Sequence, residues 1–192
     1  GDAIYEDVNH DGQINALDVV YLGNCLPKLS GGFNISFDYG RWNLKARFMY
    51  RYGNKVINQA RMTLESMSTA YNQASSVNWR WRKDGDETLM PRAIYVYNDN
   101  SAYNAQGSSR YVEDGSFVRF QNLQVGYNFN PKELKKYGLN RLQFYVTANN
   151  LFCWTRYSGV DPEISIGGWG QAIDKSQTPR AKSFTANINI GF

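Results

Sequence analysis

The sequence predicts an all-β chain: the C-terminal strands of a large antiparallel transmembrane β-barrel, with long extracellular loops that contain a short helix. Three observations predict this. Five stretches of about ten residues alternate apolar and polar side chains without a break, and the connections between them alternate long and short. The composition, with 14 Tyr, 10 Phe and 5 Trp, is rich in ring residues although the mean hydropathy is −0.55, which favours sheets over an ordinary helical core.

The first element is an extracellular segment over 1–30 that carries "DVNHDGQINALD". Calcium takes six to eight oxygens, and a twelve-residue loop supplies them from positions 1, 3, 5, 7, 9 and 12, with glycine at 6. Asp7, Asn9, Asp11, the Gln13 carbonyl, Asn15 and Asp18 occupy those positions and Gly12 the sixth, so the spacing predicts one structural Ca2+. Position 12 is Asp and not the longer Glu, and no clear helix precedes Asp7. A metal-free turn held by Asx hydrogen bonds is the competing reading.

Strands follow over 31–39 and 42–52. Phe33, Ile35, Phe37 and Tyr39 share one face of the first, and Trp42, Leu44, Ala46, Phe48, Tyr50 and Tyr52 one face of the second, with Gly40-Arg41 as a tight turn between. The loop over 53–115 comes next. In it Val56, Ala60, Leu64, Met67 and Tyr71 recur at helical spacing and predict a helix within 54–71. Strands over 117–130 and 141–152 place Leu123, Val125, Tyr127 and Phe129, then Leu142, Phe144, Val146 and Ala148, opposite Asn, Gln, Thr and Arg. Pro131 and Gly138 punctuate the short gap. After a loop over 153–182, "SFTANINIGF" gives a last strand over 183–192, with Phe184, Ala186, Ile188, Ile190 and Phe192 on one face.

Two media could meet that apolar face. In a soluble sandwich it is the core; in an outer-membrane barrel it meets lipid, and the polar face lines the lumen. Strands of this length suit a tilted span of the bilayer, and Tyr39, Trp42, Tyr50, Tyr52, Tyr127, Phe129, Phe152 and Trp154 stand near strand ends, where interface girdles form. Every long connection leaves the same rim, a sorting that barrels show and sandwiches have no reason for. Five strands cannot close a bacterial barrel, so the chain is expected to be part of something larger. Lys45, Arg47 and Arg51 then face a plug or a pathway.

At these residues a family can be named. "YVEDGSFVRFQNLQVGYNF" and "TANNLFCWTRYSGVDPEI" resemble stretches of the SusC/RagA-type TonB-dependent outer-membrane transporters. So do "GDAIYEDVNHDGQIN" near the start, "RWRKDGDETLMPRA" in the large loop and the aromatic final strand. The resemblance implies energised nutrient uptake, a glycan or peptide substrate, a SusD-like surface lipoprotein partner outside and TonB inside, acting through an upstream segment. It implies a multi-pass barrel in the bacterial outer membrane, surrounded by lipid, and a final strand with Phe192 as assembly signal. A secreted calcium-bound β-sandwich that binds carbohydrate is the alternative.

Other functions find little in the sequence. Lys and Arg are scattered among acidic residues with no basic block, so no nucleic-acid partner is expected. His10 is the single histidine, and nucleophile-elbow, phosphate-loop and zinc-protease motifs are missing, so no enzyme activity is expected. Cys25 and Cys153 match no metal or redox spacing and are expected to be two free thiols. Trp79, Trp81, Trp154 and Trp169 could stack on sugars, although packing within loops explains each equally well.

Overall fold

A computed structural model describes residues 1–94, 103–165 and 172–192. In chain order the strands are β1 (Leu29–Tyr39), β2 (Trp42–Tyr52), β3 (Lys55–Asn58), β4 (Val112–Asp114), β5 (Phe117–Asn128), β6 (Arg141–Thr155), β7 (Ile173–Asp174) and β8 (Ser183–Gly191). The α-helices are α1 (Gln59–Glu65) and α2 (Pro131–Leu134). The chain divides into two compact units. One comprises Gly1–Cys25, Lys55–Glu113 and Ile164–Gln177, and is called the loop unit. The other comprises Leu26–Asn54, Asp114–Glu163 and Thr178–Phe192, and is called the sheet unit.

The sheet unit is a five-stranded antiparallel sheet in the order β1-β2-β5-β6-β8. Its strands are the five alternating stretches of the sequence. β1 begins at Leu29, two residues before the expected start, and β6 runs on to Thr155. The β1–β2 turn has only Gly40 and Arg41 between the paired Tyr39 and Trp42. Its first position carries φ 59°, where glycine is free of the steric cost other residues meet. The sheet is open and does not close on itself.

Register aligns the apolar face into rows that run across the strands. One row joins Phe33, Phe48, Phe120 and Phe152, with ring centroids 4.8 Å apart for Phe33–Phe48 and 4.6 Å for Phe48–Phe120. Six residues away along β2, a second row joins Tyr39, Trp42, Tyr127, Phe144 and Ile188. Ile35, Leu44, Ala46, Val125 and Val146 fill the band between. A bulge makes this continuity possible. Between Phe120 and Asn122 the register shifts, so Val118 and Phe120 join the face of Leu123 and Val125 although their parity differs. Strict alternation would have put them on the other side.

This face is not a core. Ile35 is 50% exposed, Phe37 62%, Phe184 72% and Ile188 62%. A sandwich would bury them, each at a gain of about 1.5–3 kcal/mol. Within the sheet unit nothing covers them.

The loop unit departs most from expectation. The spacing of Val56, Ala60, Leu64, Met67 and Tyr71 predicted a helix within 54–71, and α1 spans Gln59–Glu65 there; Val56, however, lies in β3, and Met67 at φ 50° has left helical geometry. β3 pairs in parallel with β7, Ile57 opposite Ile173, in a small sheet ordered β4-β3-β7. That long-range pairing overrides a local period. Asn58 caps α1 by accepting the Arg61 N–H at 2.9 Å. Met67, Val77 and Met90 form the apolar cluster.

Candidate functional site

The polar face of the sheet unit is laced by amides. The Asn122 amide donates to Asn149 at 2.7 Å, Asn149 to Ser183 at 3.0 Å, Gln143 to Asn128 at 2.6 Å, and the Tyr145 hydroxyl to Gln143 at 2.6 Å. Lys45 lies opposite Ser36 and Gln124, Arg47 opposite Asn34 and Asn122, and Arg51 opposite Ser30 and Phe117. All three cations therefore sit on this face, as expected. Gly126 is the tight spot: a Cβ there would fall 2.3 Å from Asn43 Oδ1 and 2.6 Å from the Tyr145 ring. Only glycine lets those side chains close over the strand.

Two sequence motifs meet at the end of the sheet where the long connections leave. Arg119 of "GSFVR" is buried and places its guanidinium 2.6 Å from Asp161 and 3.4 Å from Glu163 of "YSGVDPE". Arg180 reaches the other oxygen of Glu163 at 2.6 Å, and its backbone N–H donates to Asp161 at 3.3 Å. Asp161 also accepts the Glu163 N–H at 2.9 Å across Pro162, which has no N–H to satisfy. Burial pushes the Asp161 carboxyl up, but the Glu163 and Arg180 amides together with Arg119 outweigh it and hold the group below the ordinary carboxylate range. The Arg119 and Arg51 guanidiniums stand over the Phe117 ring at 5.5 and 5.7 Å. Ser116 Oγ accepts the Gly53 N–H at 2.9 Å and donates to Asp114 at 2.6 Å. The sequence displayed both halves of this network, and opposite charge was the signal that would have joined them.

In the loop unit, buried Glu65 accepts from Arg61 at 3.1 Å, Ser76 at 3.1 Å and Arg110 at 3.2 Å. Arg61 also pairs with Glu113 at 3.2 Å. One carboxylate thus ties α1 to the turns at 75–79 and 109–111. Here too, two motifs meet. Asp2 takes the Arg92 guanidinium in two bonds of 2.6 and 2.8 Å, which hold its carboxyl below the ordinary range. A cavity of about 780 Å³ opens beside them, with Glu6, Trp81, Glu87 and Leu89 in its wall. Trp79 is 80% exposed, Trp154 lies on the apolar face of β6 near Phe152, and Trp169 falls outside the described residues.

The loop at 7–18 is held by hydrogen bonds. Asp7 accepts the N–H groups of Asp11 (3.2 Å) and Gly12 (2.8 Å), and Asp18 those of Val8 (2.9 Å) and Asn15 (2.7 Å). Asp11 accepts the Asn9 amide at 2.9 Å and the Gln13 N–H at 2.8 Å, which together lower its pKa. Asn15 accepts the Leu17 N–H. Among the described residues no three His, Cys, Asp or Glu side chains form a group that could hold a metal ion. Cys25 and Cys153 are both half-buried, and Cys153 is a free thiol.

No family model matches the chain. Individual proteins do. It is 32% identical over its whole length to TonB-dependent receptor P39 of Formosa agariphila and 29% identical to receptor P3 of the same organism, covering 19% of each. The TonB-dependent receptor SusC of Bacteroides thetaiotaomicron is 31% identical over 44% of the chain and 8% of SusC. Among solved structures, the RagAB peptide transporter matches with a TM-score of 0.78 and 25% identity, over 94% of this chain and 19% of that one. The RagAB peptide importer in its "open-open" state matches at 0.71, over 88% and 18%. The chain thus spans about a fifth of the curated relatives that match its full length. These relatives are receptors and importers, not enzymes.

Proposed function

Because the chain is a segment of a SusC/RagA-type TonB-dependent outer-membrane transporter, we propose that it forms the C-terminal wall of the barrel through which a glycan or peptide nutrient is imported across the outer membrane. The observation that carries this reading is the five-stranded sheet whose apolar face stays exposed in continuous rows, in a chain that matches TonB-dependent receptors from end to end. In the complete protein, β1 and β8 pair with further strands, the apolar face meets lipid and the amide-laced face lines the lumen around a plug. The long connections face outwards, where a SusD-like surface lipoprotein would dock. TonB acts from the periplasm through a segment upstream. RagAB is a peptide importer, and that supports a peptide among the two.

Uptake separates the two substrates. Cells that depend on the full-length transporter should accumulate either a labelled oligosaccharide pool or a labelled peptide pool, and lose accumulation when the gene is deleted or the proton gradient is collapsed. Uptake that persists without either would overturn the transport reading.

For the loop at 7–18 we propose a calcium-bound form. In it Asp7, Asn9, Asp11 and Asp18 oxygens and the Gln13 carbonyl turn onto one ion, with Asn15 completing the set directly or through water. The support is the spacing alone, and the hydrogen-bonded turn described above is its metal-free counterpart. Calcium should protect residues 1–30 of the full-length transporter from protease, and Asp11→Ala should abolish that protection. Equal cleavage with calcium and with chelator leaves the turn as the whole account.

A further inference from the structure

We propose that the rim of short turns in the sheet unit is a binding surface for the phosphate headgroup of an anionic phospholipid in the inner leaflet of the outer membrane. This rests on the barrel reading above, which puts short turns in the periplasm.

The β1–β2 turn and the β5–β6 connection share one end of the sheet: the Asn128 N–H donates to the Arg41 carbonyl at 2.8 Å. Across residues 40–41 and 128–141 the cations are Arg41, Lys132, Lys135, Lys136 and Arg141, all exposed, and the only acid is Glu133. Glu133 stands 3.8 Å from Arg41, with both side chains well exposed, and neutralises little. The scaffold that carries the lysines is fixed. Asn130 caps α2 by accepting the Lys132 N–H at 3.1 Å, Pro131 starts the helix, Leu134 is buried, and the Leu139 N–H returns to the Leu134 carbonyl at 3.1 Å.

Between the two turns lies a cleft of about 230 Å³ with Arg41 and Arg141 in its wall beside Asn130 and Asn140. Arg141 donates to Gln143 and the Asn130 amide to Glu133, so the Arg41 guanidinium and the Asn140 amide are the donors in this wall that suit a phosphodiester. Next to the cleft, on the apolar face, stand Phe129, its ring 5.0 Å from that of Tyr127, and Trp42, 4.8 Å from Tyr127. Tyr137, 79% exposed, projects from the turn itself. Aromatic side chains mark the depth at which acyl chains give way to headgroups. The cations begin where the aromatics end, which is the level of the phosphates. A cationic rim at that level complements an anionic leaflet, and each such cation adds to the attraction.

The test uses the full-length transporter in nanodiscs with equal phosphatidylcholine and phosphatidylglycerol, released and weighed by native mass spectrometry. Wild type should retain phosphatidylglycerol over phosphatidylcholine by roughly fivefold or more, the bias that one surface cation at an anionic leaflet already supplies. Arg41→Gln should bring the ratio close to parity; Lys132→Gln with Lys135→Gln and Lys136→Gln should lower it less. An unchanged ratio in the arginine variant overturns the site, as does parity in wild type, including parity with an acidic periplasmic protein bound to the rim instead. A protease tag inserted at Gly40 serves as control for sidedness. Cleavage on intact cells overturns the barrel reading and this inference with it, whereas protection combined with parity overturns the inference alone.

Discussion

The sheet unit and the loop unit are stabilised in opposite ways. The sheet unit exposes its apolar rows and keeps its polar groups together on one face. The loop unit buries a small apolar cluster and satisfies buried charge internally, with Glu65 serving Arg61, Ser76 and Arg110 at once. Polar groups buried in the loop unit need partners within it, because each unpaired one is costly.

The largest effect should come from the single place where the sheet unit adopts the loop unit's strategy. Arg119→Ala leaves Asp161 and Glu163 without their buried cation and should cost about 3–5 kcal/mol locally. Faster proteolysis of the 156–182 connection in the full-length protein would show it, and unchanged proteolysis would mean that the network is ornamental.

Val146→Arg or Ile188→Arg should obstruct membrane assembly, since arginine on a lipid face near mid-bilayer costs roughly 2–4 kcal/mol. Thr147→Arg and Asn189→Arg, on the other face, should be mild. Heat-modifiable mobility on gels reads the difference, and equal tolerance at all four positions would erase the contrast between faces.

Gly126→Ala overfills the gap between Asn43 and Tyr145 and should cost about 1–3 kcal/mol in thermal stability. In the loop unit, Asn58→Ala removes the α1 cap and should cost about 0.5–2 kcal/mol.

A pH scan gives the smallest signal and sharpens the Arg119 result. Asp161 has a folded pKa below its unfolded one, so its contribution is present in full above the unfolded value of about 3.9. It is lost as pH falls through the depressed folded value. Protection of the 156–182 connection should therefore persist at pH 5 and fade only well into the acid range.

The sheet was legible in the sequence because each strand keeps its apolar side chains on one face, and period two survives from Phe33 to Tyr39 or from Leu142 to Ala148 unbroken. The bulge at Gln121 was not, because an extra residue reverses parity and only the partner strands reveal it. In the loop unit a helix was legible but its ends were not, for a different reason. Val56, Ala60 and Leu64 do fit a helical period, yet Val56 lies in β3, whose Ile57 and Asn58 pair with a strand more than a hundred residues further on, and non-local pairing decides. The Arg119 network lay between: its motifs stood out by resemblance, but their meeting required the fold. For the calcium loop the sequence offers spacing, and the hydrogen-bonded turn already gives the same carboxylates partners.

The central claim is that β6 separates lipid from lumen. It is tested most directly by nitroxide labels placed one at a time at residues 142 to 147 of the full-length transporter, in a background with Cys25→Ser and Cys153→Ser. The account predicts that labels at 142, 144 and 146 collide with oxygen dissolved in lipid, while those at 143, 145 and 147 collide with it less, in an alternation of period two. A flat profile, or one with the phase reversed, would contradict it.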